Sequence, residues 1–274
     1  MTCTPRVARA SLHQWEEPPI SGSNGSGALF FSGCPMGCVY CQNKPISHGG
    51  VGHDVSVPSL AKSMMNLQKA GAHNLNLVTA THFLPSVLPA IDLARQMGFA
   101  LPVVYNTSGY ETVDTLKYLE GYVDIYLTDM RYMTAQTAEA LSSAPDYPSV
   151  AKLALAEMVR QTGKAQYDAN GIMQKGTIVR FLLLPGHLIE AKMALRHVAK
   201  TYGEGVVYSL MCQYTPTDHL PPPLHRTVTE QEYHSFVSAA QDLGITTAFV
   251  QDRASAKEDY IPPFLESDLL SLDR

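Results

Sequence analysis

The sequence predicts an α/β domain in which parallel strands are joined by crossover helices and curl into a barrel. Two observations predict it. From residue 27 onward, short runs rich in β-branched and aromatic residues alternate with amphipathic stretches, the pattern that sets strands side by side with helices on their outer face. The chain has 274 residues, 45% apolar and 16% charged, which is enough for one substantial core, and an α/β barrel of this size needs no second domain.

Six strand–helix units are expected, and each has a local reason. Residues 27–33 form an apolar run between glycines, the first strand. Val57, Leu60, Ala61, Met64, Leu67 and Ala70 then recur at helical spacing behind Ser56, which is placed to cap the first turn. Strand 74–80 is followed by helix 87–98, strand 101–106 by helix 113–122, and strand 124–129 by a helical stretch 134–161 that Pro145 and Pro148 interrupt. In 166–174 the Asn170-Gly171 pair lies between short alternating runs and predicts a β-hairpin inserted before the fifth strand, 177–185. Helix 188–202, strand 206–215 and helix 230–244 complete the set, with 246–252 a candidate seventh strand. Residues 1–26 and 253–274 fall outside the alternation, so a core of 27–252 with an extension at each end is expected. The Met and Leu stripes of the helices are core faces.

Composition excludes several classes. The net charge is −5 and no Lys/Arg-rich block occurs, which argues against a nucleic-acid partner. No stretch approaches the eighteen or so apolar residues of a membrane span, and the first residues lack an apolar signal core, so a cytoplasmic protein with no membrane partner is expected. Five cysteines in so long a chain do not make a disulfide framework. Cys3 and Cys212 read as idle or buried thiols.

The other three, Cys34, Cys38 and Cys41, are spaced C-x3-C-x2-C in Cys34-Pro-Met-Gly-Cys-Val-Tyr-Cys41, directly after the first strand. Thiolates are the soft ligands of iron–sulfur clusters, and a [4Fe–4S] cube has four irons, so three cysteines leave one iron open to a ligand that is not protein. A structural zinc site would need a fourth ligand, for which His48 is the nearest candidate, and an electron-transfer cluster would need a fourth cysteine.

This motif, with an aromatic residue, Tyr40, before its last cysteine, resembles the radical S-adenosylmethionine (SAM) superfamily. Together with the 16–34 stretch and Val78-Thr-Ala-Thr-His-Phe83, it is similar to the small glycyl-radical-enzyme activases, most of all to the PflX-type pyruvate formate-lyase activating enzyme-like proteins. The resemblance implies a partial (β/α)6 TIM-like barrel that binds a [4Fe–4S] cluster and SAM. It implies reductive cleavage of SAM to a 5′-deoxyadenosyl radical, with ferredoxin or flavodoxin as electron donor. The hydrogen donor would be a glycyl radical enzyme, a peptide or a small molecule.

The resemblance also assigns cofactor-binding positions. Cys34, Cys38 and Cys41 would hold the cluster, and Tyr40 would pack near the adenine. Where the activases carry a Gly-Gly-Glu segment for the SAM amino group, this chain reads Thr79-Ala-Thr-His-Phe83, leaving Thr79, Thr81 or His82 for that contact. Asn106 and Thr107 of Asn106-Thr-Ser-Gly-Tyr110, with Asp129, occupy the positions that help hold a monovalent cation, Asn106 in place of an acid. Arg131 stands where the activases have lysine, and Gln213 and Tyr214 where they have a Tyr-His pair. Independently of any resemblance, Arg180 is a charge within an apolar run and requires a partner, the cofactor carboxylate or Asp129.

Overall fold

The computed structural model describes residues 4–217, 220 and 222–251. β1 (Arg6–His13) leads through a short helix α1 (Pro18–Ser21) to β2 (Ser26–Phe31), and the cysteine segment is followed by α2 (Lys44–Ser47), β3 (His53–Asp54) and α3 (Val57–Lys69). The repeating units are β4 (Leu75–Val78) with α4 (Leu84–Gln96), β5 (Val103–Thr107) with α5 (Val113–Tyr118), and β6 (Ile125–Asp129) with α6 (Ala135–Ser142) and α7 (Tyr147–Thr162). Then come β7 (Gln166–Tyr167), β8 (Met173–Leu182), α8 (Leu188–Tyr202), β9 (Val207–Met211), α9 (Glu230–Asp242) and β10 (Ala248–Val250).

The strands β2, β4, β5, β6, β8, β9 and β10 lie in that order, all parallel. β1 adds antiparallel to β2, and β3 antiparallel to β1, so the described sheet ends at β3 and β10 and the barrel is a partial one. Residues 6–13, which show no strand pattern in the sequence, are thus part of the sheet. The hairpin at 166–174 is present, but β8 is one ten-residue strand that serves both hairpin and barrel. α4 begins at Leu84, earlier than the apolar periodicity suggests, because Pro85 in the first turn gives up an N–H that has no partner there anyway. β9 ends at Met211, short of the expected residue 215.

Alternation along the strands sorts side chains into an outer apolar face and a barrel interior. Leu75, Leu77, Val103, Tyr105 and Tyr126 face α3 and α4, and Val179, Phe181, Tyr208 and Leu210 join the core built with α6 to α9. Inside, Val104, Ile125, Leu127 and Ile178 form an apolar layer with Met173, and Ile20 of α1 is fully buried against them, so the segment before β2 plugs the barrel. Burying that one side chain stabilises by about 2 kcal/mol. One step further along the strands the interior turns polar. Asp129, Arg180 and Ser209 sit side by side on β6, β8 and β9, and Asn106 lies near the end of β5.

Candidate active site at the barrel mouth

The cysteine segment leaves β2 through Gly33, whose φ of +91° suits glycine and whose missing Cβ leaves room for the His82 ring, 2.9 Å from where that atom would stand. His82 Nε2 lies 2.7 Å from the Ser32 carbonyl oxygen, which holds the start of the segment. Gly37 N and Val39 N donate to the Ser142 and Leu141 carbonyls at the end of α6 (3.2 and 3.0 Å), and the buried Met36 and Tyr40 anchor the segment in the core. All three cysteines thereby line one cavity of about 470 Å³. Ser142 Oγ donates to Cys38 Sγ at 3.0 Å, Arg131 Nη1 donates to the same sulfur at 3.2 Å, and Cys41 Sγ lies 3.3 Å from Ser47 Oγ. Burial pushes the Cys34 thiol up to about 11, so iron has to displace a proton there.

The wall opposite the cysteines is charged. Arg180 donates from Nε to Asp129 Oδ1 (2.9 Å) and from Nη2 to Asn106 Oδ1 (2.7 Å), giving the strand charge the partner it requires. Arg131 reaches Asp129 Oδ2 from Nε and Nη2 (3.0 and 2.5 Å). Burial opposes ionisation of Asp129, but the Arg180 and Arg131 guanidiniums outweigh it and hold the carboxyl below its usual range. Arg131 and Arg180 supply positive charge at the place where the resemblance puts a monovalent cation.

Of the expected cofactor-binding residues, Thr79, Asn106, Thr107, Asp129, Arg131, Arg180 and Gln213 line this cavity with the cysteines. Thr79 sits just past β4 at φ +58°, a strained conformation for a β-branched residue. Gln213 accepts from Gln251 Nε2 on its side chain (2.9 Å) and from Gln42 Nε2 on its carbonyl (3.3 Å), joining the cysteine segment to the end of β9. Three others do not line the cavity. Tyr40 is buried, its hydroxyl 2.5 Å from that of Tyr132; Tyr214 donates to the Leu224 carbonyl (2.5 Å); Thr81 donates to Glu111 Oε1 (2.9 Å). His48 is exposed and bonded to Ser47, and does not itself line the cavity.

Sequence reasoning missed the acids. Glu16 and Glu17 enter the cavity from the segment after β1, with Glu16 Oε1 accepting from Asn76 Nδ2 (2.9 Å) and Asn106 Nδ2 (3.1 Å). Glu111 is buried behind the wall, where the Thr107 hydroxyl also donates to it. Its proximity to the Asn106-to-Tyr110 motif was the available signal; Glu16 and Glu17 had none.

Among the described residues no three His, Cys, Asp or Glu side chains converge as a single metal ion requires. The thiols instead stand around a common cavity with donors aimed at sulfur, an arrangement that fits the three-ligand demand of a four-iron cluster.

Comparison with known proteins agrees with this geometry. Residues 21–144 match the family described as "4Fe-4S single cluster domain". The chain is 26% identical over 241 residues to an uncharacterized protein of Methanocaldococcus jannaschii, covering 84% of this chain and 65% of that one. Among solved structures, it superposes on anSMEcpe with bound AdoMet at a TM-score of 0.54 and 10% identity, over 80% of this chain and 61% of that one. It also superposes on Streptococcus suis SuiB bound to S-adenosylmethionine (0.53, 8%, 80% and 48%) and on SuiB bound to precursor peptide SuiA (0.51, 8%, 80% and 46%). The chain thus spans between about half and two thirds of the length of these proteins. The likeness to these solved structures is one of fold, a partial α/β barrel, and residues 21–144, which contain the three cysteines, are similar to the 4Fe-4S single cluster domain family.

Proposed function

We propose that this protein is a radical SAM enzyme in which Cys34, Cys38 and Cys41 hold a [4Fe–4S] cluster and the adjoining cavity takes SAM and a substrate. The observation that carries the reading is the placement of three thiols on one loop at the C-terminal ends of parallel barrel strands, facing a cavity whose wall is polar. A [4Fe–4S] cluster held by Cys34, Cys38 and Cys41 would supply the one-electron reduction that cleaves SAM to methionine and a 5′-deoxyadenosyl radical able to abstract hydrogen from a substrate. The chain's own contribution is position and electrostatics. Ser142 and Arg131 donate to Cys38 Sγ and fix its position, while Arg131 and Arg180, fixed by Asp129, present positive charge to an anionic group such as a carboxylate. Met36, Phe31 and Ile46 line the cavity beside the cysteines and reduce the access of water to them.

The hydrogen donor is a partner's glycine Cα–H in the activase form of this reading, which the resemblance at Asn106-Thr-Ser-Gly-Tyr110 supports. A peptide or small molecule is the other form, supported by SuiB, whose structure is described with a precursor peptide. The test of the common core is anaerobic purification. A brown protein with about four irons per chain, forming 5′-deoxyadenosine from SAM and dithionite, is expected. Cys38→Ala should lose both colour and product. A colourless zinc protein, or product formation by the Cys38 variant, would overturn the proposal.

A further inference from the structure

The titratable side chains around the cavity do not balance. Among the described residues that line the cavity, and apart from the thiols, Glu16, Glu17 and Asp129 face Arg131 and Arg180 alone, which leaves one negative charge in excess when all are ionised. His13, the remaining titratable group among the described residues of the cavity, is pushed down to about 4 by burial and by Arg9, so it stays neutral at pH 7. The cysteines as cluster ligands add no cation. A buried excess charge of this kind is costly, and it is relieved by a proton or by a positively charged ligand.

Hydrogen bonding singles out the same residues. Glu16 is held through Oε1 by Asn76 and Asn106, but its Oε2 accepts no hydrogen bond among the described residues and has only Arg180 Nη1 at 3.6 Å. Its side chain is just 10% exposed. Glu17, 8% exposed on the same cavity, has an Oε2 with no hydrogen-bond partner. Each carboxyl group thus keeps one oxygen, Glu16 Oε2 and Glu17 Oε2, with no hydrogen-bond donor among the described residues, and burial raises both groups against the opposing pull of Arg180.

Depth tells which part of a ligand this floor meets. Asn76 lies two residues before the end of β4 and Asn106 one before the end of β5, so Glu16 sits below the strand ends that carry the cysteine loop and Thr79. A carboxylate there is placed for a group that reaches inward from the mouth.

We propose that Glu16, seconded by Glu17, is the anchor for a protonated amine on the substrate of this enzyme. This deepens the preceding reading and names a substrate class: a small molecule or peptide side chain bearing an ammonium group, which donates to Glu16 Oε2 while Arg180 keeps the opposite side for an anionic or carbonyl group. SAM carries an ammonium of its own, so the experiment has an arm for each source.

The cluster-loaded protein and its Glu16→Gln variant are titrated calorimetrically, under anaerobic conditions, with 1,4-diaminobutane, with 1-butanol as a neutral comparison, and with SAM. Gln keeps the acceptor that Asn76 and Asn106 bind, and iron content with the cluster absorbance reports that the variant is folded and loaded. The wild type is expected to bind the diamine and not the alcohol, and the variant to bind the diamine at least about 10-fold more weakly, the loss that follows from removing one charged hydrogen bond. Its affinity for SAM should stay within about twofold. Equal binding of diamine and alcohol, or no change in the variant, overturns the proposal, and so does a variant that loses SAM rather than the diamine, because the anchored amine is then the cofactor's. Diamine binding lost with Glu16→Gln in a protein that never forms 5′-deoxyadenosine would leave the amine site standing and defeat the enzyme reading alone.

Discussion

Asp129→Asn removes one negative charge from between two guanidinium groups without changing the shape of the side chain. Asp129 accepts from Arg180 Nε at 2.9 Å and from Arg131 Nε and Nη2 at 3.0 and 2.5 Å, and its side chain is 15% exposed. Breaking a buried pair by removing one partner costs about 3–5 kcal/mol because the remaining charge is left uncompensated. Here Arg180 keeps Asn106 and Glu16, Arg131 keeps Cys38 and the Tyr40 hydroxyl, and Asn retains one acceptor, so the lower end, about 3 kcal/mol, is expected. In a chain of this length that corresponds to a fall in Tm of roughly 6–12 °C. The assay is urea and thermal denaturation of the apoprotein, followed by circular dichroism. The pH dependence adds a second constraint. The folded state depresses the Asp129 pKa, so its contribution is complete above the unfolded-state value near ~4 and is lost as pH falls through the lower folded value. The gap between wild type and variant should therefore be full at pH 7 and close as acid is added. A gap under about 1 kcal/mol at pH 7, or one that persists unchanged into acid, would refute the pairing argument.

Two further substitutions probe the frame around the site. Thr79→Gly should relieve the left-handed strain at the end of β4 and raise stability by about 1 kcal/mol, read as an increase in urea midpoint; destabilisation would mean that the threonine side chain holds the turn. Ile20→Ala opens a hole in the apolar layer that plugs the barrel, with an expected loss of about 2–5 kcal/mol in the same denaturation experiment, whereas a loss below about 1 kcal/mol would mean that the N-terminal segment is not part of the folded core.

The parts of this site that were legible are those with local signals. The cysteine spacing is complete within eight positions, and Asn106, Asp129 and Arg180 announce themselves as polar residues in or at the ends of apolar strands. β1 was hidden because a register shift between Val7 and Arg9 breaks the alternation a strand is recognised by. Tyr40 and Tyr214 were assigned by position in a motif, and sequence position does not say which way a side chain turns. Both turn into the core, where their hydroxyls find Tyr132 and the Leu224 carbonyl. Glu16 was illegible for a different reason. Its partners Asn76, Asn106 and Arg180 are far along the chain, and its own neighbours have no periodic pattern.

That distance is also what gives Glu16 its precision. Ile20 is locked into the apolar layer, and Ser21 on the same short helix accepts from Glu16 N at 2.9 Å, so the backbone that bears the carboxylate is fixed by the plug just after it. The carboxylate is then aimed by two asparagines on neighbouring strands of the barrel. A binding group held in this way is supported by rigid elements on every side, the condition under which a buried charge discriminates between ligands instead of adapting to them. Radical formation, on the reading proposed, belongs to the loop after β2, and substrate choice to the segment before it. The two are joined by Arg180 and Asp129, which touch Glu16 on one side and, through Arg131, Cys38 on the other. An ammonium group that neutralises Glu16 would free Arg180 from one of its three anionic or polar partners and strengthen its hold on Asp129, so substrate charge at the floor is coupled electrostatically to the donors that surround the cluster-binding thiol.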